Sequence, residues 1–368
     1  MKNTLSLFPE DGMISYDRQI SYDDLVSVSQ IQQFMSCRKR WEYGYLRGLA
    51  PRVERPYLTI GRLCHTGMQA SMNAKWEAQQ VGNEIPTDRL VEVGRRAIAD
   101  EFNSYMGRID FLDEELPSLD QIPQDAAEVF SRALRDFDPA RYRVETVWRD
   151  DRPLPATEVH FIKPIPTCEH TCIHGFIDAI LTDPQEGGTW CFDYKFRSQL
   201  SPDDDEQFNI QNAVYMDACA AMGIDVAGSC TWQHLNIVST RPSTTKSGMS
   251  RVKIRCTWDV YEQCLIEAGI DPEGYEDMRE KLAQIEWTRA TREIRSAKFL
   301  REVLHECVYL MAESIESIRD RPAHSMAGRS LDPWNCKRCQ FQSLCQAELR
   351  GYDVDDVIAR EYTRRDRQ

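Results

Sequence analysis

No stretch of the 368-residue chain approaches the ~20 consecutive apolar residues that a membrane-spanning helix needs. The opening MKNTLSLFPEDGM has only a short apolar stretch, followed at once by acidic residues, so no signal peptide is expected and a cytoplasmic location is. Positive charge is in deficit: 45 Lys and Arg stand against 59 Asp and Glu, a formal net charge of −14. That balance excludes a protein that coats nucleic acid through bulk charge, though not one with a local basic channel. Internal repeats, low-complexity tracts and collagen-like periodicity are also missing. With 42% hydrophobic and 28% charged residues, what remains is a globular protein with a core. The length is about 2.5 times a ~150-residue domain, so one large or two smaller domains fit.

The pattern of elements suggests a composite α/β chain. Residues 1–60 form an N-terminal segment whose first helix starts at Ser27 or Ser29 as N-cap, with Ile31 and Phe34 its first apolar positions. Residues 61–140 read as mostly helical, broken by an acidic, Pro-containing loop over 110–125. A core sheet is expected over 141–258, with strands at 143–148, 158–162, 172–181, 189–196, 229–238 and 252–258, and a helix over 207–221. Residues 241–250 read as a connecting loop, 259–330 as a second helical region, and 331–368 as a cysteine-rich tail. A mixed sheet with helices before and after it predicts an α/β or α+β fold, which by itself names no function.

Cysteine, by contrast, is plentiful. Thirteen is an odd number, and a reducing compartment favours ligands over disulfides where thiols cluster. Cys336, Cys339 and Cys345 form C-x2-C-x5-C; a fourth ligand would complete a metal centre, and Cys37 is the best candidate. A ligand from each end would staple the termini together. Zinc and an iron–sulfur cluster both suit such sulfur ligands, His324 is another possible fourth ligand for zinc, and Cys37 could instead be a small buried hydrophobe. A second run, Cys168-x-His170-x-Cys172-x-His174, looks like a zinc site, but on a strand its residues lie in one row and cannot surround an ion. On a straight strand His174 shares a face with Asp178, which gives it a possible supporting role there.

Two apolar segments each carry an acid: His174-Gly175-Phe176-Ile177-Asp178, and Trp190 to Lys195 ending in Asp193-Tyr194-Lys195. A lone (D/E)-x-K means little, since about three are expected by chance in this length. Its context counts for more. Asp193 and Lys195 fall on one face of a strand, and the Pro184 and Gly pair between the segments suit a hairpin turn that returns them beside Asp178. Converging carboxylates bind Mg²⁺ or Mn²⁺, and a nearby lysine can orient or deprotonate an attacking water. Gln211 and Tyr215, four apart, share a helix face just after this strand, and His65 lies four residues after Gly61 in the first long helical stretch.

The order G-x3-H, G-x-x-D, D-x-K, Q-x3-Y, bracketed by Cys37 and C-x2-C-x5-C, resembles the RecB-like branch of the PD-(D/E)XK nucleases. Within that branch it resembles the iron–sulfur members, the AddB-type nuclease domains and the CRISPR-adaptation exonucleases. The resemblance implies a mixed sheet flanked by helices, with the long helical stretch as a lid or DNA-guiding insert. It also implies a 4Fe–4S cluster on Cys37, Cys336, Cys339 and Cys345, and Mg²⁺ or Mn²⁺ on His65, Asp178, Asp193 and the carbonyl of Tyr194. Lys195 takes the place of the catalytic lysine, while Gln211 and Tyr215 match the pair that supports the site and contacts DNA. Arg38 follows Cys37 where these relatives usually carry proline.

The expected activity is metal-dependent hydrolysis of DNA, by an exonuclease rather than an endonuclease, on single strands or duplex ends, in repair or recombination. No G-x4-G-K-S/T motif occurs, so the nuclease is expected to stand without a helicase motor of its own, and a helicase or recombination partner stays open. Arg38, Lys39, Arg40 and Trp41 are candidate DNA contacts, because basic and aromatic residues together suit a stripped single strand. A second basic set, Arg289, Arg292, Arg295, Lys298 and Arg301, is expected to spiral around a helix. The rival reading is a non-catalytic iron–sulfur or zinc protein that binds DNA or acts as a scaffold on the same fold.

Overall fold

The computed structural model describes residues 20–52, 56–106, 121–206, 209–246, 248–319 and 328–364. His324 and most of the expected acidic loop lie outside them. The strand β1 (Leu25–Ser27) leads into α1 (Val28–Ser36), which Ser27 caps by accepting from Gln30 N–H at 3.2 Å. Three long helices follow: α2 (Pro56–Gln80), α3 (Thr87–Met106) and α4 (Ile122–Phe137). The sheet strands are then β2 (Arg143–Val144), β3 (Thr157–Pro164), β4 (Cys172–Thr182) and β5 (Thr189–Arg197). After α5 (Ile210–Ala221) come β6 (Gly228–Leu235) and β7 (Thr288–Glu293).

These strands make one seven-stranded mixed sheet. β4 is its longest member: β3 and β2 pair antiparallel along one edge, while β1 and β5 share the other. β5 continues to β6 in parallel and β6 to β7 antiparallel. Period-two alternation sends side chains to two apolar layers. On one face Phe192, Tyr194 and Trp232 meet α2, α3 and α4. On the other, Ile177, Ile180 and Cys191 meet α1, α5 and the helical stretch holding Leu304, Val308 and Ile315. The three long helices close on Phe130, which is fully buried. A Cβ on Gly94 would come 2.1 Å from that ring, so α3 can pass α4 there only as glycine. Truncating such a ring to alanine costs about 3–5 kcal/mol.

Two expectations need correction. Residues 252–258 form no strand: Lys253 has a left-handed φ of 58°, and Ile254 and Cys256 turn into a small cluster with Tyr261 and Leu265. The expected helical region 259–330 is interrupted by β7, so Arg289 and Arg292 lie on a strand and Arg295 just after it. All three are engaged by carboxylates: Arg289 by Glu286, Arg292 by Asp183 and Glu186, and Arg295 by Glu293. These three therefore do not take part in the expected spiral around a helix. Among the described residues no helix is long and apolar enough to cross a membrane.

Candidate active site

β5 leaves β4 part-way along its edge. The last pair of their ladder is Ala179–Phe192, and Asp178 and Asp193 are the next residues on the two sides of the fork. Asp178 Oδ2 accepts from Tyr194 N–H at 2.6 Å and lies 3.5 Å from His65 Nδ1, which α2 delivers from one side of the sheet. β3 adds a residue that the sequence reading missed. Glu158 falls between the cross-strand pairs Thr157–Ala179 and Val159–Ile177, which sets it opposite Asp178. Its φ of 45° is a left-handed conformation that costs a non-glycine residue of order 1–3 kcal/mol. His65, Glu158 and Asp178 each offer one ligand atom, and all of these lie within 4.8 Å of one another. Burial first, and the nearby Asp178 charge second, push Glu158 up to about 7.

Asp193 is 2% exposed. Its Oδ1 accepts from Lys195 Nζ at 2.8 Å, whereas its buried Oδ2 has no hydrogen-bond partner among the described residues. A buried carboxylate oxygen without a donor is costly, and a cation is what would satisfy it. Lys195 Nζ also donates to Gln211 Oε1 at 3.0 Å, and the Gln211 amide donates to Tyr215 OH at 2.5 Å. Gln211 and Tyr215 thus form a brace from α5 to the lysine. Burial alone would lower Lys195, but Asp193 and Asp178 outweigh it and raise the ammonium's pKa. Burial lifts Asp193, Lys195 pulls it back and Asp178 adds to the rise.

Three carboxylates and an imidazole are a donor set for Mg²⁺ or Mn²⁺. Beside them opens a cleft of about 670 Å³, lined by Arg62, His65, Lys195, Arg197, Ser201 and Asn236 among others. A family model described as the PD-(D/E)XK nuclease superfamily matches residues 25–346, a span that takes in this whole constellation. The chain belongs to the PD-(D/E)XK nuclease superfamily. A comparison with curated proteins finds none that matches.

Membership makes the chain a nuclease by family, hence a hydrolase whose relatives use divalent metals and act on nucleic acid. In this PD-(D/E)XK chain the fork brings together His65, Asp178, Asp193 and Lys195, with Gln211 and Tyr215 behind them. Tyr194 contributes its N–H to Asp178 while its ring is buried on the helix side of the sheet. His174 does not join the group: it meets His160 at 6.1 Å between ring centroids, and burial, with His160 second, drops it to about 4. In the Cys168–His174 run, only Cys172 and His174 are on β4, and Glu316 accepts from the N–H groups of His170 and Thr171 just before the strand.

The four cysteines expected to act as ligands come from both ends of the chain. Cys37 ends α1; Cys336, Cys339 and Cys345 lie in or beside two short helices, Pro333–Lys337 and Gln342–Arg350. All four are free thiols lining one cavity of about 210 Å³. Cys345 Sγ accepts from Arg329 Nε at 3.3 Å, and Cys339 Sγ from Phe341 N–H at 3.4 Å.

The basic and aromatic patch that follows Cys37 is largely turned inward. Trp41 is 0% exposed, stacking edge-on to Phe34 at 5.2 Å. Lys39 is buried against Glu42 at 2.9 Å and Glu348 at 3.2 Å. Neither can touch DNA from there, because Trp41 fills the core and Lys39 neutralises two carboxylates. Arg38 is exposed and Arg40 half-buried.

Proposed function

We propose that the chain is a divalent-metal-dependent deoxyribonuclease that degrades DNA from ends and carries a structural 4Fe–4S cluster. The observation that carries the nuclease reading is the convergence of His65, Glu158 and Asp178 beside the ammonium of Lys195 and the buried Asp193 oxygen that has no hydrogen-bond partner among the described residues. His65, Asp178 and Asp193 would hold the ion, with Glu158 next to them and the Tyr194 carbonyl as the further ligand that the resemblance implies. Bound there, Mg²⁺ or Mn²⁺ would polarise the phosphate and lower the pKa of an attacking water.

The chain's own groups do the rest. Lys195, kept protonated by the two aspartates, donates to the water or to a phosphate oxygen in the cleft. Gln211 fixes the direction of that ammonium, and Tyr215 fixes Gln211. Tyr194 N–H stops Asp178 from rotating away.

For the cysteines, a shared cavity drawn from both ends of the chain supports a cluster that ties the termini together.

Anaerobically purified protein, incubated with Mn²⁺ on end-labelled linear DNA and on closed circles, tests the activity. Loss of the linear form alone is expected. Cutting of circles would make it an endonuclease, and a colourless, iron-free protein would remove the cluster.

A further inference from the structure

Next to Asp178, the same two strands carry a surface that the chemistry above does not use. In the β3–β4 ladder His160 pairs with Phe176 and Ile162 with His174. Along each strand His160 and Phe176 are the next same-face positions after Glu158 and Asp178, about 7 Å further on, and Ile162 and His174 come one step beyond them. Val159, Phe161 and Ile177, which alternate with them, are buried on the opposite face. Phe176 is nevertheless 48% exposed. Its ring stacks on His160 with centroids 4.5 Å apart and planes 19° from parallel, and the His174 ring props His160 edge-on. A stacked aromatic pair, with His174 edge-on to His160 and Phe176 half in solvent, therefore begins one step from the carboxylates.

We propose that the His160–Phe176 stack is a platform for an unpaired nucleobase of the strand whose phosphate lies in the active site, so that single-stranded nucleic acid is the preferred substrate. This rests on the nuclease reading above and names its substrate. A base can stack on an external ring only when its own face is free, whereas both faces are covered inside a duplex. Stacking of this kind tolerates any base, because each has a π-face. The platform is continuous with the carboxylate site along one ladder, so a strand held at Asp178 has a base within reach of Phe176. A ring placed there for a protein partner would have no reason to distinguish strands with bases from strands without them.

The test is fluorescence anisotropy with the full chain, Ca²⁺ in place of Mn²⁺ to avoid cleavage, and three labelled probes. These are a mixed-sequence single strand, an abasic strand of equal length, and a duplex capped by hairpins. Phe176→Ala and Phe176→Leu should each weaken binding of the single strand about tenfold, the order of one stacked base. Phe176→Trp should bind as wild type, and the abasic strand and the capped duplex should respond to none of the three. Wild-type binding by Phe176→Ala, an equal loss on the abasic strand, or full rescue by leucine would each overturn the platform. Cleavage is read separately with Mn²⁺. A wild type that cuts nothing contradicts the nuclease reading, while cleavage together with unchanged binding by Phe176→Ala contradicts only the platform.

Discussion

Tyr194 and Asp178 are joined across the fork of the sheet by a 2.6 Å hydrogen bond from backbone N–H to Oδ2. The orientation of the carboxylate is thus set by the main chain of β5, at the residue between Asp193 and Lys195. Asp178→Asn keeps the shape and an acceptor for that N–H but removes the charge. Mn²⁺-dependent cleavage should fall by more than the ~10–100-fold typical of losing an outer partner of a metal ligand, with a melting temperature close to wild type. Initial rates on labelled DNA and a thermal melt check this; a wild-type rate would remove Asp178 from the site.

Gln211 touches Lys195 and Tyr215 but none of the three acids is among its hydrogen-bond partners. As a positioning residue it should affect turnover more than substrate binding. Gln211→Ala is expected to lower kcat about 10–100-fold with KM little changed, and Gln211→Glu, which preserves an acceptor for the ammonium, should recover part of the loss. Steady-state kinetics separate the two parameters. A loss confined to KM would make Gln211 a DNA contact instead.

Asp183, fully buried in the β4–β5 turn, holds Arg141 and Arg292, each at 2.6 Å, and thereby ties β7 to the hairpin that presents the active-site aspartates. Burial alone would raise this carboxyl, but the two guanidinium groups and the N–H groups of Gln185 and Glu186 outweigh it and hold it well below the usual carboxylate range. Its unfolded value is about 3.9, so the contribution is complete above about pH 5 and is lost as pH falls towards the lower folded value. Asp183→Asn should cost about 3 kcal/mol at pH 7 and flatten the acid limb of the melting temperature between pH 5 and pH 3. Parallel wild-type and variant curves across that range would show that Asp183 is not the group titrating.

If the proposed cluster ties the termini together, removal of its iron should loosen them. A chelated protein, or Cys37→Ser, is expected to lose the brown colour and to melt lower, because a centre that binds only the folded chain stabilises it. Absorbance, iron content and calorimetry measure this. An iron-free protein with an unchanged melt would leave the cysteines without a structural role.

Much of this was legible in the sequence. Ser27 caps the first helix because its hydroxyl can reach Gln30 N–H, a local relationship that spacing reveals. The Pro184 and Gly pair announced the β4–β5 hairpin, and with it the meeting of Asp178 with the Asp193–Lys195 pair. Glu158 was hidden because nothing local marks it: it becomes a neighbour of Asp178 only through the register of β3 on β4. β7 was missed for a related reason. Thr-Arg-Ala-Thr-Arg-Glu has no apolar alternation, as befits an edge strand guarded by charge, and its place is fixed by β6 and by Asp183, far away in the chain. Lys39 and Trp41 misled in the opposite direction, since a basic and aromatic run looks the same whether a core or a surface receives it.

Cleavage of end-labelled DNA with and without Mn²⁺, by wild type, Asp193→Ala and Lys195→Ala side by side, tests the central claim most directly. Degradation that requires the metal and is abolished in both variants, with their melts intact, is the expected result. Cleavage by both variants at the wild-type rate would contradict the assignment of the fork as the active site.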